Sequence, residues 1–196
     1  MSVPVAVLPP CLRAALDAGA TRADRADAVL AGPLGAIELA ACAPAGTVCA
    51  DGLFGADGYV LAASDAEDAL MTGIVQDLPL QIALLVGLGP RPVRPDGEAA
   101  VGPYGDLEDA RQDSDLPEDV RAVLSAEGAV HWRARAQWAA ADGPRTREVV
   151  VVDGGPGGML LCTPIAALGD VALVPCGSTA VWRALCALLP FPSELV

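Results

Sequence analysis

In the stretch Ala129–Trp138, AVHWRARAQW, apolar and polar side chains alternate without a break from Val130 onward. Val130, Trp132, Ala134, Ala136 and Trp138 fall on one side, and His131, Arg133, Arg135 and Gln137 on the other. That is the period of two that a strand imposes on successive residues. The stretch therefore predicts a half-buried strand with a cationic outer face. Downstream, Glu148–Asp153 holds Val149 to Val152 in one run, as a central strand covered on both faces would. Gly158–Thr163 and Val171–Cys176 read as two further strands. Val181, Trp182, Leu185, Leu188 and Leu189 then form the stripe of a closing helix, with Ser178 as the expected N-cap and Pro190 as its stop.

The first half has the same plan. Ala36–Cys42, Thr47–Leu53, Tyr59–Ala63 and Leu70–Gln76 read as extended runs, and Asp57-Gly58 between two of them is a hairpin signal. Leu78–Leu88 reads as a short amphipathic helix that tolerates Pro79 in its first turn. Residues 11–31 read as a further helix, ended by Gly32-Pro33. A shift of 100 residues lays Gly58 on Gly158, Leu61 on Leu161, Ala66 on Ala166, Leu85 on Leu185, Leu88 on Leu188 and Pro90 on Pro190. The expected fold is α+β and a single domain over 1–196. Its core is a mixed, mostly antiparallel twisted central sheet made from two pseudo-twofold-related strand units, about 33–90 and 128–190, flanked by helices. A Pro/Gly-rich and acidic helical linker over 91–127 joins them, with Pro117 dividing its polar helix.

Composition sets the outer bounds. The chain has 196 residues, of which 53% are hydrophobic and only 4% aromatic. It is long enough to build a core from Val, Leu and Ala without a disulfide or metal. All 12 basic residues are arginine, a bias that fits GC-rich coding and a high-GC bacterium. The formal charge of −13 opposes binding to nucleic acid or an anionic membrane. No apolar run is long enough to insert in a bilayer, and the opening residues lack a signal-peptide pattern, so the cytoplasm is the expected location. Cys11, Cys42, Cys49, Cys162, Cys176 and Cys186 form no C-x2-C pair and read as small buried hydrophobes.

The search for chemistry returns little. His131 is the sole histidine, and its arginine neighbours hinder it as a proton acceptor. No H-E-x-x-H, EF-hand or Walker A pattern occurs. Gly154–Gly158 leads into strand-like residues rather than a helix, so it reads as a hairpin connection and not a phosphate cradle. Acidic clusters at Asp65, Glu67 and Asp68 and over 106–118 lack the ligand alternation of a calcium loop. No catalytic, metal or cofactor site is expected, and no enzyme. The stripe His131, Arg133, Arg135 and Gln137 remains, either paired with acids on a neighbouring strand or forming a face that docks a partner.

Three stretches resemble the EspG-type chaperones of type VII (ESX) secretion. They are Ala36–Leu39 with the hairpins up to Asp77-Leu78-Pro79, then Arg145–Asp153 with Gly157–Leu161, and finally Val171–Pro175 entering the helix from Ser178. The resemblance implies a cytosolic, non-enzymatic chaperone. It would cap the apolar helical tip of a secreted PE-PPE-like bundle before export, using His131, Arg133, Arg135 and Gln137 as the orienting face. The rival expectation is a protein-interaction or small-ligand-binding domain of another pathway, without catalysis.

Overall fold

The computed structural model describes residue 29 and residues 32–43, 46–63, 70–90, 97–104, 107–165 and 169–194. Nine strands form one sheet in the order β4-β3-β2-β1-β6-β7-β8-β9-β5. The first four are β1 (Gly35–Ala43), β2 (Gly46–Phe54), β3 (Tyr59–Ala63) and β4 (Leu70–Gly73). The short β5 (Ala100–Gly102) follows. Then come β6 (Val130–Ala140), β7 (Gly143–Asp153), β8 (Met159–Ile165) and β9 (Asp170–Cys176). Every pairing among them is antiparallel. β1 and β6 pair side by side from Gly35↔Trp138 to Cys42↔His131. Four strands from each half thus run outward from a central seam, and both halves contribute to one sheet.

Each four-strand run leads into a helix, α1 (Leu78–Leu85) in the first half and α4 (Ser178–Cys186) in the second. Between the halves lie α2 (Leu107–Gln112) and α3 (Glu118–Leu124). Pro117 caps α3, so it divides the acidic stretch as its missing N–H requires. The helix expected over 11–31 lies outside the described residues, except for Val29, which is helical and buried.

Alternation decides which side chains meet. Ile37, Leu39, Trp132, Ala134, Ala136, Trp138, Val149 and Val151 point to one face, where Leu78, Ile82, Val181 and Leu185 of α1 and α4 cover them. Among the described residues, the opposite face is covered only at its ends. Val152, Leu160, Cys162 and Leu173 pack under Ala110, Val120, Val123 and Leu124 of α2 and α3. At the other end, Leu53, Val60, Ala62 and Leu70 pack with Val29. The valine run of β7 is split between the two faces, as a strand covered on both sides must be. Gly35 is fixed by close packing: a Cβ there would lie 2.2 Å from the Gln137 carbonyl and 2.5 Å from the Phe54 ring.

Several elements differ from expectation. β7 begins at Gly143, ahead of the strand expected from Glu148, so the Gly-Pro-Arg-Thr-Arg segment is strand as well. β5 lies within the Pro/Gly-rich stretch. The run from Leu70 breaks after Gly73 into a 3₁₀ turn, Val75–Asp77. Ser178 is the first helical residue rather than the cap, which is Gly177. Its hydroxyl instead donates to the Gly89 carbonyl at 2.6 Å, tying the end of the first unit to the helix of the second. α1 is apolar at every position but Gln81 rather than amphipathic, so Leu80 and Leu84 face solvent, the latter 65% exposed. Cys162 and Cys176 are buried, whereas Cys42 and Cys186 are exposed. The Gly154–Gly158 segment is a hairpin connection containing a 3₁₀ turn, with φ of +60° at Gly155 and +108° at Gly158, backbone that favours glycine.

Candidate functional site

The polar side of β6 lies on the sheet face that the helices leave open in the middle. Its residues sit in rows fixed by the registers of β2, β1, β6 and β7. One row reads Asp51, Glu38, Arg135, Glu148. Arg135 Nε lies 2.9 Å from Glu148 Oε2, and its NH1 lies 3.7 Å from Glu38 Oε2. Arg135 is therefore held by acids on both flanking strands, and the row carries a net negative charge. The cross-strand pairing anticipated for this stripe describes this residue well.

The next row reads Cys49, Ala40, Arg133, Val150. No acid lies in it. Arg133 is exposed and makes no ion pair among the described residues. The third row is Thr47, Cys42, His131, Val152. His131 is half-buried, and burial holds its pKa below the usual 6.5, with the charges of Arg133 and Arg111 pushing the same way. Cys42 sits directly across the seam and accepts a 3.8 Å contact from the Thr47 hydroxyl. No carboxylate in this row orients the imidazole, the part a Cys-His nucleophile needs. Gln137 ends the stripe, exposed, opposite Ala36 and Thr146.

The four stripe residues therefore share one open face but differ in electrostatic character. Arg135 belongs to an ion-pair row. Arg133 is the exposed cation here, beside a His131 whose lowered pKa favours the neutral imidazole, while Arg111 of α2 pairs with Glu108. Small side chains, Ala36, Ala40 and Cys42, lie between the charges and leave the backbone approachable.

Other candidate chemistry is structural. Burial pushes the Cys162 thiol up to about 12 and Cys176 to about 11, so neither supplies a thiolate near neutral pH. Among the described residues no group of three His, Cys, Asp or Glu is placed to hold a metal. No helix there is long and apolar enough to cross a membrane. A cavity of about 570 Å³ at the β6–β7 hairpin is lined by Trp138, Arg145, Arg147 and Glu194, among others. Its arginines are paired within the chain, Arg145 with Asp142 and Arg147 with Glu194. Trp138 Nε1 nearby is buried without a hydrogen-bond partner. Sequence reasoning missed Arg147; its alternation with Arg145 was the available signal.

The architecture is thus that of an open antiparallel α+β sheet, with a polar strip along its seam that no described helix covers. Comparison with solved structures places this fold beside the type VII secretion system chaperone EspG5 of Mycobacterium tuberculosis, solved in complex with the PE25–PPE41 dimer. The TM-score is 0.55 at 15% identity, covering 88% of this chain and 77% of that chain. No family model and no curated protein matches the sequence.

Proposed function

We propose that this chain is a type VII secretion chaperone, which caps the apolar helical tip of a PE-PPE-like dimer in the cytoplasm and makes or breaks no covalent bond. The observation that carries the reading is the likeness of fold to EspG5, which extends over 88% of the chain. The open strip along the β1–β6 seam is the docking face. Its alanines let a helix end approach the sheet closely, while Arg133 and His131 orient an acidic or polar rim. Covering an apolar tip removes it from aggregation, and the charge of −13 keeps the complex soluble.

The test is coexpression with a PE-PPE dimer encoded near the gene. The expected result is a soluble ternary complex at moderate salt. Arg133→Glu should weaken capture about tenfold or more, the scale of losing one charged contact, with the melting temperature nearly unchanged. A dimer that remains aggregated and unbound contradicts the proposal.

A further inference from the structure

The outward side chains of the seam follow a charge order along the strands. Successive rows on that face are two residues apart, about 6.8 Å at the rise of a strand. At one end Leu53, Ala36, Gln137 and Thr146 carry no charge. The next row sets the carboxylates of Asp51, Glu38 and Glu148 against the single guanidinium of Arg135. Arg135 is engaged by Glu38 and Glu148, so the row keeps an excess of negative charge, and Glu38 is exposed. The third row has the opposite sign, with exposed Arg133 among Cys49, Ala40 and Val150. The last, Thr47, Cys42, His131 and Val152, is neutral at pH 7, because burial holds the His131 pKa below its usual value. One negative and one positive row therefore lie side by side, with an uncharged row beyond each.

The surface beside the charges is low. Ala36, Ala40 and Cys42 are small, and β2 and β6 flank β1 at two strand spacings, about 9.6 Å, close to the diameter of an α-helix, about 10 Å. An extended segment laid on a sheet face would leave its own N–H and C=O groups without backbone partners, whereas a helix satisfies its own. Residues four apart on a helix share a face and are offset by about 6 Å, which matches the spacing of the rows. We propose that the seam selects a partner helix carrying a base and an acid one turn apart, the base over the Glu38–Glu148 row and the acid at Arg133. The inference rests on the capping reading for a helical partner and adds which helix is accepted. Two acids at those positions meet repulsion at the negative row, and two bases meet it at Arg133.

The test uses the full chain and a display library on a stable helical hairpin. One exposed face of the hairpin is randomised among Ala, Leu, Glu and Lys, restricted to members in which that face has no net charge. Selection is run at about 0.15 M salt, where attraction beyond about 8 Å is screened, so the overall charge of the chain does not decide the outcome. Members with Glu and Lys four apart should be enriched at least about tenfold over members with the same residues at other spacings. Arg133→Gln should abolish the preference for Glu and keep that for Lys. Glu38→Gln/Glu148→Gln should do the reverse, and the preference each variant keeps shows that it is folded. No enrichment, equal enrichment at every spacing, or variants that change neither preference would overturn the proposal. Coexpression with a PE-PPE dimer separates the two claims. A dimer captured while the library shows no spacing refutes this inference alone, and enrichment at the predicted spacing with the dimer left unbound refutes the capping reading alone.

Discussion

The two faces of the sheet are built from alternate residues of the same strands, yet they are solved differently. On the helix-covered face Trp132, Ala134, Ala136 and Trp138 are buried under α1 and α4 in one continuous core. On the other face two separate clusters cover the ends, and the seam between them carries Glu38, Arg133, Arg135 and Gln137. A chain that is 53% hydrophobic has enough apolar side chains to cover both sides. Leaving the seam polar is a property of its pattern rather than a shortage. The contrast is sharpest between neighbours one residue apart.

Substitution of such neighbours gives the largest expected effect. Trp132→Ala, in the covered core, should cost about 3–5 kcal/mol in a denaturant melt, whereas Arg133→Glu should stay within about 0.5 kcal/mol. Comparable losses at both positions would break the distinction between the faces. The same logic applies within α1, which is apolar except for Gln81. Ile82→Ala should cost about 2–5 kcal/mol, and Leu84→Ala, at an exposed position, no more than about 0.5 kcal/mol.

A smaller effect separates the two arginines of the open face. Arg135→Ala removes part-exposed pairs with Glu38 and Glu148 and should cost up to about 1 kcal/mol, shrinking as salt rises. Arg133→Ala should show neither cost nor salt dependence. The smallest effect concerns His131. Its folded pKa lies below the usual 6.5, so the unfolded chain binds the proton more readily and stability rises with pH across that interval. The contribution is complete above the unfolded value and is lost as acid takes the pH from about 6.5 down through the lowered folded value. His131→Gln should flatten that part of a stability-against-pH curve, and an unchanged curve would remove His131 from the account.

Much of the fold was legible because patterning is strong where both faces of a strand are specified. The alternation of Val130–Trp138, the valine run and the Asp57-Gly58 turn placed β6, β7 and the β2–β3 hairpin. Gly143–Arg147 was missed because Gly and Pro argue against a strand locally, and only pairing with Ala136–Ala140 of β6 holds it extended. β5 escaped because three residues carry no periodicity, and its strand state comes from pairing with β9. The stripe on β6 was visible, but its division into an ion-paired Arg135 and an Arg133 with no ion pair among the described residues depends on register. Glu38 and Glu148 meet Arg135 from strands distant in sequence, and composition does not encode that meeting. The role of Arg147 was hidden for the same reason, since its hydrogen-bond partners lie 40 to 47 residues away.

The most direct test of the open seam as a capping surface is size-exclusion chromatography with light scattering on the chain coexpressed with a PE-PPE dimer from its own genome. The account predicts one soluble complex containing one copy of each chain, dissociated by Arg133→Glu and retained by Leu84→Ala. A dimer that elutes alone, or a complex indifferent to Arg133→Glu, would contradict it.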